Sequence, residues 1–270
     1  MILRNFLADL VPLSELPVTW DSTGYTSETF NKAVGSDAWD GWSGDLSDEE
    51  ETDVMAELLD VQPGDSLLDV ACGYGRHAML FAERYDLRVT GVDISPGLIA
   101  AARTLADERS LEITYEAKHA RDLNYAGCFD HAIIGFNSLS VFSPEDAVTV
   151  LQKIRAALKP HGRLFLDLDN KPFYTRYGSS YRNWYAAANG LTLTDVYFHH
   201  DSSVEVIRDI LLNDEDDSIS EFICFKRIYD KKEVSHLLEQ CGFNIQQCYG
   251  NWDLMPLSDV GPKIIVVANA

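Results

Sequence analysis

Several features are missing from this 270-residue sequence, and each absence excludes a class of protein. No apolar run approaches the roughly 18 residues that a membrane-spanning helix needs. The apolar first stretch is broken by Arg4 and Asp9 and carries no small-residue cleavage site. The five cysteines form no CxxC pair, so neither a zinc ribbon nor a disulfide framework is expected. These features predict a cytoplasmic protein without a membrane anchor.

Basic residues are also few, with 22 Lys and Arg against 43 Asp and Glu and a formal net charge of -21. They are scattered singly or in pairs such as Lys231-Lys232, and no basic stretch is interleaved with aromatic residues. Because a chain this acidic repels phosphate backbones, nucleic acid is not an expected partner. The 46% of hydrophobic residues is enough for a sizeable core.

Short apolar runs alternate with helical patterns between residues 63 and 169. The apolar runs predict strands at 66–71, 88–92, 111–115, 130–136 and 163–169. The helical patterns predict helices at 76–85, 96–106 and 144–158, and a capping box that begins at Ser47 predicts an earlier helix. This alternation is typical of an α/β fold with a doubly wound, mostly parallel sheet.

The pattern changes after Asn170. Residues 171–190 are aromatic and irregular, and period-two segments at 191–199, 204–212 and 218–228 predict a small antiparallel meander. A helix at 231–240 and strands at 244–249 and 263–268 follow. We therefore expect four parts: a cap or lid segment (1–48), an α/β core (49–170), an antiparallel β insertion (171–229), and a final helix and strand hairpin that complete the core (230–270).

The strongest motif is LLDVACGYGRHAMLFA, residues 67–82. Asp69 lies near the end of the first predicted strand, and Gly73 and Gly75 follow before a helix. Glycines permit a tight turn and a close approach of ligand to backbone, and a helix N-terminus offers free N–H groups. Asp93, in GVDIS, ends the next strand, where a carboxylate can accept both hydroxyls of a ribose. The carboxyl ends of parallel strands are where such sheets bind ligands, so this pair predicts a nucleotide-type site.

Two classes of cofactor fit this pairing. Gly73-x-Gly75-x-x-Ala78 matches the dinucleotide fingerprint, with Asp93 near the expected distance, as in an NAD(P)-dependent oxidoreductase. A carboxylate at Asp69 would face a pyrophosphate badly. It suits the ammonium of an amino-acid moiety better.

On these motifs the chain resembles the class I S-adenosylmethionine-dependent methyltransferases, from about residue 49 to residue 270. DVACGYGR resembles the family's first motif, GVDIS its ribose-binding strand end, and CFDHAIIGFNSLSVF its fourth-strand motif. The terminal hairpin is similar, and the meander resembles an insertion in members that act on small molecules. The resemblance implies a Rossmann-like methyltransferase fold, S-adenosylmethionine as cofactor and a small-molecule methyl acceptor.

The resemblance also implies roles for individual residues. Asp69 would hold the methionine ammonium and Asp93 the ribose hydroxyls. The other implied cofactor-binding residues lie at the glycine turn, around adenine and at the fourth strand's end: Ala71, Gly73, Gly75, Ile94, His119, Ala120, Arg121 and Phe136. The sequence departs from the family at two of them. Ala71 stands where many relatives have the first glycine, and His119 stands where relatives often carry an acidic residue at the adenine amino group. Adenine recognition would then depend on the backbone of Ala120 and Arg121.

Methyl transfer to an O or N atom is an in-line displacement that needs close, aligned reactants and little water. A general base is optional, and we predict no catalytic residue from the candidates His131, His199, His200, Tyr25 and Tyr181. The adjacent pair His199-His200 would face opposite sides of a strand, so no metal site is expected. A non-catalytic S-adenosylmethionine-binding protein would share the same motifs and stays an alternative.

The acceptor pocket is predicted from polar and aromatic residues near the fourth and fifth strand ends and in the aromatic segments: Tyr25, Asn137, Asn170 and Trp184. If the aromatic segments form it, the acceptor is expected to be an apolar or aromatic small molecule. The oligomeric state is not predicted.

Overall fold

The computed structural model describes residues 10–20, 46–177, 180–187, 190–214 and 216–270. Within these ranges the α-helices are α1 (Asp48–Leu59), α2 (Arg76–Tyr85), α3 (Pro96–Glu108), α4 (Pro144–Ala157), α5 (Lys171–Tyr177) and α6 (Lys231–Gln240). The strands are β1 (Ser66–Val70), β2 (Arg88–Asp93), β3 (Thr114–Ala117), β4 (Phe129–Ile134), β5 (Leu158–Asp169), β6 (Tyr181–Ala187), β7 (Gly190–His199), β8 (Val204–Asn213), β9 (Ile219–Arg227), β10 (Asn244–Tyr249) and β11 (Lys263–Asn269).

A seven-stranded sheet forms the centre of the fold, in the order β10-β11-β5-β4-β1-β2-β3. The strands β1 to β5 pair in parallel, whereas β11 runs antiparallel to both β5 and β10. The predicted doubly wound sheet with an antiparallel terminal hairpin is therefore confirmed. The chain runs from β1 outward to β2 and β3 on one side and then continues with β4 and β5 on the other side of β1. The crevice at such a reversal of strand order, outside the carboxyl ends of the strands, is the usual ligand site.

Buried apolar strands and capped helices explain why the chain forms this sheet. Every residue of β1 is buried, and helices cover both faces of the sheet. On one face Met55 and Phe81 are packed into the core, and on the other Leu151 and Leu238 are. The predicted capping box at Ser47 is present, since the Ser47 hydroxyl accepts the N–H of Glu50 and the Glu50 carboxylate accepts the N–H of Ser47.

The insertion is a separate antiparallel sheet in the order β6-β7-β8-β9. Its outer face is covered by the segment 10–20, where Leu13 and Trp20 contact Val206 and Phe225. Its inner face, which carries Phe198, Glu205 and Lys226 by the strand register, is turned toward the ends of the parallel strands. The ring of Phe198 lies 6.2 Å from that of Tyr174 in α5, and β9 contacts the turn at Ser138–Val141.

The insertion contains two elements that the sequence pattern did not predict, α5 and β6. Residues 171–190 were expected to be irregular, because aromatic side chains there follow no regular period. The strand β6 lies at the edge of its sheet, and its exposed side chains, including Trp184, lack the burial alternation that signals a strand. The starts of two strands differ from the prediction by three residues or more. β3 begins at Thr114, three residues later than expected, and β5 begins at Leu158, five residues earlier than expected and directly after α4.

Most of the expected cap segment 1–48 lies outside the described residues, so the division into four parts stays a prediction. In the described ranges no helix combines the length and apolar character of a bilayer span.

Candidate functional site

In the turn after β1, three of the five residues from Ala71 to Gly75 have a left-handed backbone conformation. The φ angles are 59° at Ala71, 58° at Gly73 and 83° at Gly75. Gly75 is the N-cap of α2 and supplies no side-chain cap. Among the described residues, apart from the two chain neighbours of Gly73, no atom lies within 4 Å of the position that a Cβ of Gly73 would occupy. The backbone of this turn is therefore open on the side of Gly73, as a close approach by a ligand requires.

Gly75 is required for a different reason. A Cβ at this position would lie 2.2 Å from the hydroxyl oxygen of Tyr115, and one at Gly91 would lie 2.7 Å from the Cδ1 atom of the same ring. Tyr115 fills the space that the two glycines leave. Gly75 therefore allows the turn to pack on Tyr115, in addition to any contact with a ligand.

Asp69 is a deeply buried carboxylate near the end of β1, with 3% of its surface exposed. No hydrogen bond reaches its side chain from the part of the chain that the structure describes. Burial raises the pKa of Asp69 to about 7, the nearby guanidinium of Arg76 lowers it, and the carboxylate of Asp93 raises it further. A bound cation would compensate this carboxylate, which makes Asp69 suited to an ammonium group.

Asp93 lies at the end of β2 and orients the glycine turn. Its Oδ2 accepts the Gly73 N–H at 2.9 Å, and its Oδ1 accepts the Ser95 N–H at 2.9 Å. Burial raises the pKa of Asp93, and these backbone donors oppose the shift. A carboxylate oxygen can accept more than one hydrogen bond, so each oxygen retains capacity for a hydroxyl of a ligand.

The residues expected around adenine follow β2 and β3. Ile94 is half-buried, next to Asp93. His119 uses its Nδ1 to accept the Arg121 N–H at 3.2 Å, and its ring lies 6.0 Å from that of Phe142. The backbone N–H of Arg121, expected at adenine, is therefore already engaged. The N–H of Ala120 has no acceptor among the described residues and is the donor that remains.

The chain after β4 makes a left-handed turn at two non-glycine residues, Phe136 and Asn137, both with φ 56°. Phe136 is 39% exposed, and the guanidinium of Arg76 lies 5.0 Å from its ring centroid. Phe136 is therefore partly exposed and lies beside Arg76, the residue that follows the glycine turn.

Asn137, predicted to line the gap between cofactor and acceptor, has a side chain that is bonded within the protein. It is 5% exposed, its Nδ2 donates to Asp169 Oδ2 at 2.7 Å, and its Oδ1 accepts the Asp169 N–H at 3.1 Å. The Ser140 hydroxyl also donates to the Asn137 Oδ1. Asn137 therefore joins the ends of β4 and β5.

The other residues predicted for the acceptor pocket are Asn170, Trp184 and Tyr25. Asn170 is buried, and its Nδ2 donates to the backbone oxygens of Ser258 and Gly261 at 3.0 and 2.7 Å, so it holds a loop. Trp184 is 67% exposed on the edge strand β6. Tyr25 lies outside the described residues.

The candidate bases are dispersed in the structure. The Nε2 of His131 lies 3.0 Å from Asp65 at the opposite end of the sheet, and that of His199 lies 3.2 Å from the Leu13 oxygen on the outer face of the insertion. Tyr181 pairs with Val196 and is on the inner face. No group of three His, Cys, Asp or Glu in the described ranges is arranged to hold a metal ion.

Carboxylates at the end of β5 were missed. Asp167 is 1% exposed, and burial raises its pKa to about 6. Asp169 accepts a hydrogen bond from Lys263 Nζ at 2.9 Å and another from the Tyr174 hydroxyl at 3.0 Å. The run LFLDLDN could have signalled this pair, because alternate residues of a strand share one side and here both precede a strand end.

The left-handed Ala71 gives a stability prediction. An L-residue in this conformation destabilises the folded protein by roughly 1–2 kcal/mol. Glycine removes this strain, but it also raises the conformational entropy of the unfolded chain, which offsets part of the gain in stability. Ala71→Gly is therefore expected to raise the free energy of unfolding by about 0.5–1 kcal/mol in urea titration. The matched control is Ala100→Gly on the exposed side of α3, which should lower it by about 1 kcal/mol. Equal losses in both variants would contradict the strain at Ala71.

The strand order, the antiparallel final pair and the carboxylates at the ends of β1 and β2 define the fold of the class I S-adenosylmethionine-dependent methyltransferases. A family described as "Methyltransferase domain" matches residues 67–162 of this chain.

Curated relatives agree with this assignment. The chain is 29% identical over 166 residues to a demethylmenaquinone methyltransferase of Symbiobacterium thermophilum, covering 59% of this chain and 61% of the relative. It is 31% identical over 117 residues to the 27-O-demethylrifamycin SV methyltransferase of Amycolatopsis mediterranei, covering 43% of this chain and 42% of the relative. The chain thus spans less than two thirds of the length of these relatives.

A solved structure shows the same fold. It is an S-adenosylmethionine-dependent methyltransferase from Clostridium acetobutylicum, with a TM-score of 0.72 and 15% sequence identity, covering 83% of this chain and 92% of that one. In its family model, its curated relatives and its fold, the chain is therefore similar to methyltransferases, the class that the motifs predict.

Proposed function

We propose that this protein transfers a methyl group from S-adenosylmethionine to an O or N atom of a small molecule. The observation that carries the proposal is the pair of buried carboxylates, Asp69 and Asp93, at the ends of adjacent strands on either side of the open turn at Gly73. Asp69 accepts no hydrogen bond from the described residues, and Asp93 orients the turn through the Gly73 N–H. This arrangement fits a ligand with both an ammonium and a ribose.

The described residues suit each part of the cofactor. Asp69 would bind the ammonium. Asp93 would accept hydrogen bonds from the ribose hydroxyls through the lone pairs of its carboxylate that the N–H groups of Gly73 and Ser95 do not use. Ile94 would contact adenine, and the N–H of Ala120 would donate to its ring. When bound, the cofactor supplies a methyl group already activated by a sulfonium. The protein's contribution is to align the acceptor and exclude water.

An NAD(P)-dependent oxidoreductase is the main alternative. It would place a pyrophosphate at the N-terminus of α2, near the buried carboxylate of Asp69, and that repulsion weighs against it. A non-catalytic S-adenosylmethionine-binding protein would bind the cofactor through the same residues and differ only in lacking turnover.

A small-molecule acceptor is supported by the named relatives, which act on a menaquinone precursor and on a rifamycin. The net charge of -21 weighs against nucleic acid as the acceptor. We propose a cytoplasmic location on the cysteine usage and on the absence of long apolar runs.

Calorimetric titration with S-adenosylhomocysteine and with NADH tests the proposal. We expect S-adenosylhomocysteine to bind and NADH not to bind. The affinity for S-adenosylhomocysteine should fall by up to about tenfold between pH 8 and pH 6, because Asp69, with its pKa raised to about 7, loses its charge over this interval. A group with a raised folded pKa is charged above that pKa, so the loss occurs as the pH falls.

The variant Asp69→Asn is the control for the pH effect, since it cannot titrate and should bind weakly at both pH values. Binding of NADH without S-adenosylhomocysteine would replace the proposal with the oxidoreductase. A pH dependence that Asp69→Asn retains would remove Asp69 from the site.

A further inference from the structure

The inner face of the insertion carries a buried carboxylate that the fold does not use. Glu205 is 4% exposed, and within the described ranges it has no hydrogen bond and no ion pair within 4 Å. Its direct neighbours across the sheet are Phe198 and Lys226. A buried carboxylate without a hydrogen bond costs stability, and the charge of Lys226 opposite does not cancel the effect of burial, so the position suits a further partner.

Glu205 faces the ends of the parallel strands. Its charge acts on the phenol groups of Tyr174 in α5 and Tyr181 in β6, and the charge of Asp169 at the end of β5 acts on Glu205. Tyr174 in turn donates to Asp169 at 3.0 Å, and Asp169 is joined to Asn137 at the end of β4. Phe198, opposite Glu205 in the sheet, lies with its ring 6.2 Å from that of Tyr174, so neighbouring side chains lead from Glu205 to Asn137 at the end of β4.

Negative charge is in excess in this region. Its carboxylates are Glu205, Asp209, Asp167 and Asp169, and its ammonium groups are Lys226 and Lys263. Lys263 is already engaged with Asp169 and Asp167, and Asp209 accepts the Thr194 hydroxyl at 2.6 Å. A ligand that brings one further positive charge would balance the site better than an anion or a neutral molecule.

Resting on the proposed function, we infer that the acceptor is an amine, that the inner face binds it, and that Glu205 contacts its nitrogen. Glu205 accepts a hydrogen bond from the ammonium form and then takes its proton, which exposes the nitrogen lone pair. That pair forms the new N–C bond as the C–S bond breaks, and the electron pair of the C–S bond stays on sulfur. The products are a methylammonium and S-adenosylhomocysteine, and the proton on Glu205 goes to solvent.

The environment of Glu205 suits this role. Burial raises its pKa to about 7, Lys226 lowers it and Asp169 raises it, so the carboxylate can take a proton near neutral pH. The titratable and charged groups that face it are Lys226 from β9, Asp169 from β5, Tyr174 from α5 and Tyr181 from β6.

Benzylamine and benzyl alcohol form a matched pair of probes, since they differ only in the amine and both can pack on Phe198 and Tyr174. With the protein saturated by S-adenosylhomocysteine, we expect calorimetry to detect benzylamine at millimolar concentration and not benzyl alcohol. Glu205→Gln should weaken benzylamine binding by at least tenfold, while Glu239→Gln, on the exposed side of α6, should leave it unchanged.

Proton release separates contact with Glu205 from a structural effect. At pH 6.5 benzylamine should displace about half a proton or more from the wild-type site, measured in two buffers of different ionisation enthalpy. Glu205→Gln should release none, and its affinity for S-adenosylhomocysteine should stay within twofold of wild type.

Equal binding of the alcohol, unchanged benzylamine affinity in Glu205→Gln, or no benzylamine binding would overturn the amine inference. Loss of S-adenosylhomocysteine binding in the wild-type protein would instead overturn the proposed function, so the two failures are distinguishable.

Discussion

Gly75→Ala is expected to lower the free energy of unfolding by about 2–4 kcal/mol and to abolish detectable binding of S-adenosylhomocysteine. The residue has φ 83°, where an L-residue costs roughly 1–2 kcal/mol. The added Cβ would also overlap the Tyr115 hydroxyl at 2.2 Å. Either the turn or the ring of Tyr115 must move, and the turn carries the ligand-facing backbone. Urea denaturation and calorimetry measure the two effects.

Two further variants separate the backbone cost from the overlap. Gly64 has nearly the same φ, 85°, and no atom of another described residue beyond its chain neighbours lies within 4 Å of an added Cβ. Gly64→Ala should therefore lose only the backbone share of about 1–2 kcal/mol. Tyr115→Phe removes the nearest overlapping atom and should restore part of the stability of Gly75→Ala. If Gly75→Ala and Gly64→Ala lose the same stability, the overlap with Tyr115 has no energetic weight.

Asp93→Ala is expected to weaken S-adenosylhomocysteine binding by roughly 10- to 150-fold, since hydrogen bonds to a charged group contribute about 1.5–3 kcal/mol. The variant removes the acceptor for ribose and also releases the Gly73 N–H that holds the turn. Calorimetric titration gives the change in affinity.

Asp107→Ala is the matched control, because it removes a carboxylate from the exposed end of α3 without touching the site. It should bind S-adenosylhomocysteine like the wild-type protein. An affinity that is unchanged in Asp93→Ala would exclude Asp93 from the cofactor site.

Local patterns were enough to predict the parallel sheet. Ser47, with Glu50, and Ser95, with Pro96, mark helix starts through contacts within a few residues, and the structure has both caps. The segment 171–187 was not predicted because its order comes from distant pairing: β6 forms only against β7, and its exposed aromatic side chains follow no burial pattern.

The same distinction applies to the site. Asp69 and Asp93 could be found because each stands at a strand end that the sequence marks. Glu205, Asp169 and Lys263 become neighbours of one another, or of the parallel strands, only when the insertion folds over the sheet and β11 pairs with β5. Asn137 lies at the end of β4 as expected, and its amide is bonded to Asp169 at the end of β5. No local sequence pattern indicates this contact, because it joins two segments about 30 residues apart.

The insertion leaves the parallel sheet and returns to it at one point. Asn170 and Tyr229 form an isolated bridge, and the Lys171 N–H donates to the Tyr229 oxygen at 2.9 Å. Because the two ends of the insertion meet here, units of different length can join the same two points of the chain. Since we propose that the insertion binds the acceptor, exchange of residues 171–228 for another unit is expected to alter the substrate while the strands that carry Asp69 and Asp93 stay as they are.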